Sequence, residues 1–238
     1  MKMETLPKDM LYQISKDMEI RDLINFCIAN KRANEKICKN NDIWRYRLDK
    51  EFPNWREFNL NKSEVETYVF LYQLKILKKK LNLIKTIIEL YKLKKLNLYN
   101  YLLTKLPKEI GNLFNLRTLS LSNNQLTMIP KEIGNLSNLK ELNLNNNRLE
   151  VIPKEIGNLS NLRKLGLSIN KLTELPKEIG NLSNLQRLFL SHNDLTKIPK
   201  EISNLSNLRE LYLNNNNDLT KIPKEIENLS NLLIHKDF

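Results

Sequence analysis

Residues 135–157 read NLSNLKELNLNNNRLEVIPKEIG, and in this stretch Leu142-Asn143-Leu144 alternates apolar and polar side chains with a period of two. That is the pattern of a short strand with one buried face. Upstream, Leu136 and Leu139 are spaced by three, and Ile133 stands three before Leu136. Three-residue spacing suits a tight helical turn or irregular spiral on a second wall. Neither wall can bury its leucines alone, so a neighbouring copy of the same unit must supply the other half of the core.

Those copies are present. Pro107, Pro130, Pro153, Pro176 and Pro199 are spaced by 23 residues, and Pro223 follows after 24, an extra Asn within Asn214–Asn217 accounting for the longer step. The strand triplet recurs at Leu119/Leu121, Leu165/Leu167, Leu188/Leu190 and Leu211/Leu213, so stacked units are expected to pair into a parallel sheet. Asn124, Asn147, Asn170 and Asn193 follow the strands at a fixed position, where an amide side chain can satisfy backbone groups as the chain turns inward. Working backward, Ile87, Leu90, Leu93, Leu96, Leu98, Leu103 and Pro107 keep the register with Tyr101 in the Asn position, which gives a degenerate first unit from about Ile84. Forward, Pro223 opens a seventh unit in which His235 and Asp237 occupy the positions of strand leucines, so a truncated cap is expected.

A unit such as LPKEIGNLSNLQRLFLSHNDLTKIP (175–199) resembles leucine-rich repeats of the Leptospira and plant intracellular Ras-group types. The resemblance implies an α/β leucine-rich-repeat solenoid over residues 84–238, about six units plus a truncated one, with a short parallel sheet on its concave face. Such a fold specifies an architecture strongly and a ligand hardly at all.

Residues 1–55 follow another grammar. Leu6-Pro7-Lys8-Asp9 opens a helix with Met10, Leu11, Ile14 and Met18 at helical spacing, an apolar helix from Ile20 to Ala29 follows, and Asn41-Asp42 can cap a third carrying Ile43, Trp44 and Leu48. The stretch LPKDMLYQISKDMEIRDLINFCIANKRANEKICKNNDIW (6–44) resembles an F-box: a Leu-Pro start, an amphipathic first helix, Asp-Leu opening the second and a terminal Trp. Met18-Glu19-Ile20 departs from the family, which prefers Leu and Pro there. With its continuation WRYRLDKEFPNW, the segment is similar to F-box and leucine-rich-repeat proteins of large amoeba-infecting DNA viruses. The F-box resemblance implies docking on the adaptor of a cullin–RING ubiquitin ligase through Leu6, Pro7, Leu11, Ile14 and Leu23. The alternative is a plain helical cap on a scaffold or decoy with no ligase role. Between the modules, Ser63-Glu64-Val65-Glu66 fits a capping box and starts a helix to about Asn82 with Val69, Tyr72, Ile76 and Leu83 on one side, so residues 56–83 form a linking, capping helix.

Strand positions that point away from the core give a concave row of Asn97, Ser120, Asn143, Gly166, Phe189 and Tyr212. Phe189 and Tyr212, with Arg187, Arg209 and His192 close in sequence, form the combination enriched at protein-binding hot spots. A basic ridge of Lys94, Arg117, Lys140, Arg163 and Arg209, interrupted by Gln186 and offset by Glu141 and Glu210, can steer an acidic partner. The partner class is therefore protein, a target of unknown identity on the concave face.

The chemistry excluded is extensive. Cys27 and Cys38 lie in a segment without His, and His192 and His235 are isolated, so neither a zinc site nor a nucleophilic centre is expected and no cofactor is called for. The two thiols suit a reducing compartment. The first eleven residues carry charge and Pro7, unlike a secretory signal, and no apolar run approaches a membrane span, so a cytoplasmic monomer is expected, in the host cytoplasm if the chain is viral. Five Asn-Leu-Ser triplets at Asn135, Asn158, Asn181, Asn204 and Asn228 are explained by the repeat rather than by glycosylation. The net charge of +12 is concentrated between Lys75 and Lys105, where nine lysines face only Glu89. Without aromatic interleaving on a basic groove, that cluster does not make nucleic acid the expected partner.

Overall fold

The computed structural model describes Glu19, Leu23 and residues 41–236. The chain divides into two compact units, one of residues 1–79 with 86–88 and the other of 80–85 with 89–238.

In the first unit, α1 (Asn41–Glu51) buries Ile43, Trp44, Arg47 and Leu48 on one face. Pro53 follows its end, and a 3-10 turn at Trp55–Phe58 stops at Asn59, whose φ of 44° is left-handed. The predicted capping box forms: Glu66 Oε2 accepts from the Ser63 N–H (3.0 Å) and hydroxyl (2.9 Å), and α2 (Glu64–Lys80) follows. Its buried face differs from the expected one. Thr67, Tyr68, Phe70, Leu71, Leu74 and Leu77 are buried, whereas Val69, Tyr72 and Ile76 are not fully covered, because both sets have helical spacing and the more apolar one wins the core. Tyr68 centres this core against Trp44 (5.4 Å between rings) and Phe52 (5.7 Å), and its hydroxyl donates to Glu51 Oε1 (2.6 Å).

The second unit is the repeat array. Seven three-residue strands, β1 (Lys95–Asn97), β2 (Thr118–Ser120), β3 (Glu141–Asn143), β4 (Lys164–Gly166), β5 (Arg187–Phe189), β6 (Glu210–Tyr212) and β7 (Leu233–His235), form one parallel sheet in sequence order. From β1 to β6 the registers step by 23 residues, Leu96 opposite Leu119, Leu119 opposite Leu142, and onward to Leu188 opposite Leu211. The opposite wall consists of 3-10 turns at each Lys-Glu-Ile segment, from Lys108–Asn112 to Lys224–Asn228, each entered from a proline with extended ψ. Proline suits the entry because it fixes φ and needs no N–H partner. In the degenerate first unit a short helix, α3 (Ile87–Tyr91), stands in place of the 3-10 turn. Between the walls the core is almost wholly leucine and isoleucine: Ile133, Leu136, Leu139, Leu144, Leu149, Ile156 and Leu159 are all fully buried. Each such side chain contributes roughly 1.5–3 kcal/mol of transfer free energy.

Two asparagine ladders thread the array. The predicted one runs through Asn124, Asn147, Asn170 and Asn193 and continues to Asn216, each side-chain amide donating to two or three main-chain carbonyls. The second lies on the other wall, where Asn115, Asn138, Asn161, Asn184 and Asn207 each donate to the main-chain carbonyl 24 residues earlier. It gives a structural role to the second Asn of each Asn-Leu-Ser-Asn-Leu segment, which spacing alone does not explain.

The last strand corrects an expectation. By proline spacing His235 would fall opposite Leu211, inside the core. Instead Ile234 pairs with Leu211 and His235 with Tyr212. The Leu233 N–H still bonds to the Arg209 carbonyl as its counterparts do, so the strand step stays at 23 residues and β7 begins one residue nearer its proline than the other strands do. The apolar Ile234 thus takes the inward position and the imidazole turns out onto the concave face.

Candidate concave binding surface

Because strand side chains alternate, the first and third residues of every strand lie on one face and successive strands repeat them at about 4.8 Å. The third residues line up as predicted, Asn97, Ser120, Asn143, Gly166, Phe189 and Tyr212, and His235 extends the row. Phe189 and Tyr212 stack at 4.7 Å with 10° between ring planes, and Tyr212 and His235 stack at 4.2 Å with 2°. Three rings spaced by the strand repeat make a continuous aromatic stack. The signal for His235 is present in the extra Asn of 214–217, but its effect on the last register follows only from the strand pairing.

The first residues of the strands carry the charge of this face. Arg187 Nε pairs with Glu210 Oε1 (3.1 Å), and the Tyr212 hydroxyl donates to Glu210 Oε2 (2.7 Å). The tyrosine hydrogen bond, with Arg187 beside it, holds the Glu210 carboxyl below the usual glutamate range and pushes the Tyr212 phenol up. Arg187 thus braces the stack through Glu210. Lys164 Nζ lies 5.4 Å from the Phe189 ring centre on the other side.

Next to Phe189 the face drops into a cavity of about 250 Å³, lined by Thr118, Ser120, Glu141, Asn143, Asn145, Lys164, Gly166 and Phe189 among others. Gly166 makes it. A Cβ there would lie 2.8 Å from Asn145 Oδ1, which accepts the Ser168 N–H at 2.8 Å. Asn145 and Lys164 are not among the residues that the sequence singles out, although Gly166 is the one glycine of the Leu-x-Leu row and marks the place.

Lys94, Arg117, Lys140, Arg163, Gln186 and Arg209 stand in a row at the entrance to the sheet, linked in order by main-chain N–H to carbonyl bonds of 2.7–2.9 Å. Among the described residues no ion pair involves Arg117, Lys140, Arg163 or Arg209, and Glu210 neutralises Arg187 instead of the ridge. His192 is not brought to the aromatic stack. It sits at a left-handed turn (φ 57°) and its Nε2 meets Asn215 Nδ2 at 3.2 Å. Of the residues implied for adaptor docking, Leu6, Pro7, Leu11 and Ile14 lie outside the described residues, and Leu23 is helical and fully buried. Within the lysine-rich stretch, Lys75 pairs with Glu51 and Lys80 with Glu109, so part of that charge is compensated. Among the described residues there is no group of three metal-ligating side chains and no helix long and apolar enough to cross a membrane.

Comparison with known proteins agrees with this geometry. The family model for a leucine-rich repeat region matches residues 65–165 and 150–234. A leucine-rich-repeat protein of Leptospira interrogans is 47% identical over 66% of the chain, with a TM-score of 0.60. The plant peptide hormone receptor RGFR1, solved in complex with RGF2, is 42% identical over 60% of the chain (TM-score 0.54). The ectodomain of the Arabidopsis thaliana receptor kinase GASSHO1/SCHENGEN3, in complex with CASPARIAN STRIP INTEGRITY FACTOR 2, is 36% identical over 64% (TM-score 0.54). The chain spans 41%, 24% and 19% of these three structures respectively. No curated protein matches.

Proposed function

The chain belongs to the leucine-rich-repeat family, and from that premise we propose that it is a non-catalytic binding protein whose concave face holds a partner protein. The observation that carries the reading is the Phe189–Tyr212–His235 stack, three ordered rings on an open sheet face, braced by Arg187 and Glu210 and flanked by a basic ridge. Ordered aromatics beside unpaired cations supply contact area at low entropic cost and attract acidic surfaces. The complexes of RGFR1 and GASSHO1/SCHENGEN3 support a proteinaceous ligand.

The finer reading assigns residues 1–55 to adaptor docking. On it the protein is the substrate receptor of a cullin–RING ubiquitin ligase in the cytoplasm, Leu6, Pro7, Leu11, Ile14 and Leu23 form the adaptor-docking set, and other subunits perform catalysis. Its support is the order and spacing of the Leu6–Trp44 motif.

Two experiments separate the levels. A photo-crosslinking residue at Ser120, on the concave row, is expected to yield partner adducts that Phe189→Ala/Tyr212→Ala abolishes, while one at Ser137 on the convex wall yields none; equal adducts from both walls would refute concave recognition. Pull-down of the purified adaptor by wild type but not by Leu6→Ala/Pro7→Ala, with the repeats still folded by circular dichroism, is expected for the receptor reading. Failure of wild type to capture the adaptor would leave a scaffold.

A further inference from the structure

The first coil of the array leaves its strand through a turn unlike those of the coils that follow. Where each later coil has one left-handed residue after the strand, this turn has two, Asn100 (φ 58°) and Leu102 (φ 55°). The left-handed region disfavours a bulky side chain, and Leu102 is 68% exposed, so burial within the chain does not offset the strain. Tyr101 holds the position of the asparagine ladder, whose members each reach back to a carbonyl of the preceding coil. No strand precedes β1 in the sheet, and the Tyr101 ring stands 51% exposed, with Tyr99 beside it at 56%. We propose that this turn, residues 99–102, docks the protein on an anionic lipid surface: Leu102 and the two rings enter the headgroup region while the lysines around β1 meet the lipid charges. The concave face takes no part in this contact.

Charge and rigidity select this partner. Lys92, Lys94, Lys95 and Lys105 bracket the turn, all exposed and none in an ion pair among the described residues. Glu89 is the one acidic residue between Lys80 and Lys108, and Glu109 beyond it is buried against Lys80. Among the first residues of the strands, the carboxylate nearest Lys95 is that of Glu141, two strands away and therefore roughly 10 Å off. Lys95 and Tyr99 are separated by at most roughly 13 Å of extended chain, so cations and rings fall within one patch of headgroups. The turn is held before any contact: the Asn100 N–H donates to the Ser122 carbonyl (3.2 Å), the Leu103 N–H to Asn124 Oδ1 (2.9 Å) and the Asn123 amide to Asn100 Oδ1 (2.9 Å). Docking therefore has little backbone to order. Tyrosine suits the lipid interface because its ring is apolar and its hydroxyl stays wet. A nucleic acid would gain from the rings and lysines but not from Leu102, whereas an apolar anchor beside a basic patch is the pair of signals that membrane attachment needs.

Co-sedimentation of the full chain with vesicles of phosphatidylcholine containing about 30% phosphatidylserine tests this. Binding is expected to these vesicles and not to phosphatidylcholine alone, and it should fall as salt rises. Leu102→Asn should weaken it about 3- to 10-fold, because asparagine tolerates the left-handed turn and the variant loses the anchor while keeping the fold. Lys95→Gln/Lys105→Gln should weaken it about 25-fold, roughly fivefold for each charge removed. Both substitutions in that pair are on exposed side chains, so it keeps the test valid if Leu102→Asn disturbs folding. Equal binding to both kinds of vesicle, no binding by wild type, or undiminished affinity in folded Leu102→Asn would overturn the proposal. Tighter binding to oligouridylate or to polyglutamate than to the vesicles would overturn it too, and assign the patch to a nucleic acid or an acidic protein.

Discussion

The side chain of Asn147 closes the coil that precedes it: its Oδ1 accepts the N–H of Leu126 at 3.1 Å, 21 residues upstream, while its Nδ2 donates to the carbonyls of Leu121 and Leu144 at 3.0 Å each. All three main-chain partners belong to fully buried residues, and Asn147 itself is only 8% exposed. Replacing it by alanine strands one donor and weakens two acceptors away from water, a cost of about 1–3 kcal/mol. Asn147→Ala should therefore lower the denaturation midpoint at unchanged slope; an unaltered midpoint would show that water replaces the amide.

Ile169 is out of place. The turn after each strand holds a residue in the left-handed region, Asn100, Asn123, Asn146, His192 and Asn215 among them, and Ile169 adopts φ 58° there while half exposed. A β-branched residue pays about 1–2 kcal/mol for that conformation, and asparagine tolerates it. The neighbours also bond to one another, Asn123 to Asn100 and Asn146 to Asn123, so Ile169→Asn would restore a rung of a surface rail as well as relieve strain. We expect the variant to be more stable by about 1 kcal/mol, read as a higher melting temperature. A neutral or negative effect would mean that the isoleucine packs better than its exposure suggests.

The Lys-Glu-Ile-Gly segment reports how closely the coils stack. A Cβ on Gly134 would sit 2.5 Å from the main-chain oxygen of Glu155 in the next coil. That oxygen cannot rotate aside as a side chain can, so Gly134→Ala must spread two coils at a cost of roughly 1–3 kcal/mol. Ser203 holds the equivalent position before the coil with 24-residue proline spacing, and its hydroxyl donates to the Lys200 carbonyl at 2.8 Å. Hydrogen exchange should locate the loss in Gly134→Ala at the Lys131–Asn135 and Lys154–Asn158 turns; uniform protection would argue against a stacking origin.

Repetition is what makes the array legible in the sequence. Fixed proline spacing and the Leu-x-Leu period define the strands, their order and the inward leucines, because each recurs often enough to outweigh local ambiguity. Where repetition fails, legibility fails with it. The buried face of α2 is ambiguous in the sequence because Val69, Tyr72 and Ile76 share helical spacing with Phe70, Leu74 and Leu77, and a lone helix has no second copy to arbitrate. The place of His235 is ambiguous because the 24-residue proline step can either carry through to the last strand or be taken up before it, and only pairing decides. The crowding of Gly166 by the Asn143 and Asn145 amides is invisible in the sequence because only the strand register brings those side chains to it.

Tyr68 links the core of the first unit to a buried polar contact. Burial, and then the hydrogen bond to Glu51, push its phenol well above the usual tyrosine range. An acid whose folded value is raised is favoured in its neutral form, so its contribution to stability is full below the unfolded value near 10 and declines as pH rises beyond it. In an ultraviolet alkaline titration one tyrosine should ionise only as the protein unfolds, and Tyr68→Phe should remove it at a cost of about 1 kcal/mol. Ionisation of every tyrosine before unfolding would contradict the assignment.

Acid should loosen the aromatic stack through Glu210. The Tyr212 hydrogen bond, with Arg187 beside it, lowers this carboxyl from its ordinary value, so the interaction is complete above the unfolded value of about 4.3 and is lost as pH falls through the lower, folded one. Protonation removes the charge that Arg187 pairs with and weakens the hydrogen bond from the Tyr212 hydroxyl, which frees the middle ring of the stack to move against Phe189 and His235. The Tyr212 ring resonances should therefore titrate with a midpoint below about 4.3, and Glu210→Gln should abolish that titration while leaving the ring shifted at every pH. A Tyr212 resonance that is flat in wild type across this range, in protein that is still folded, would show that the ring is held by stacking alone and that Arg187 and Glu210 do not brace it.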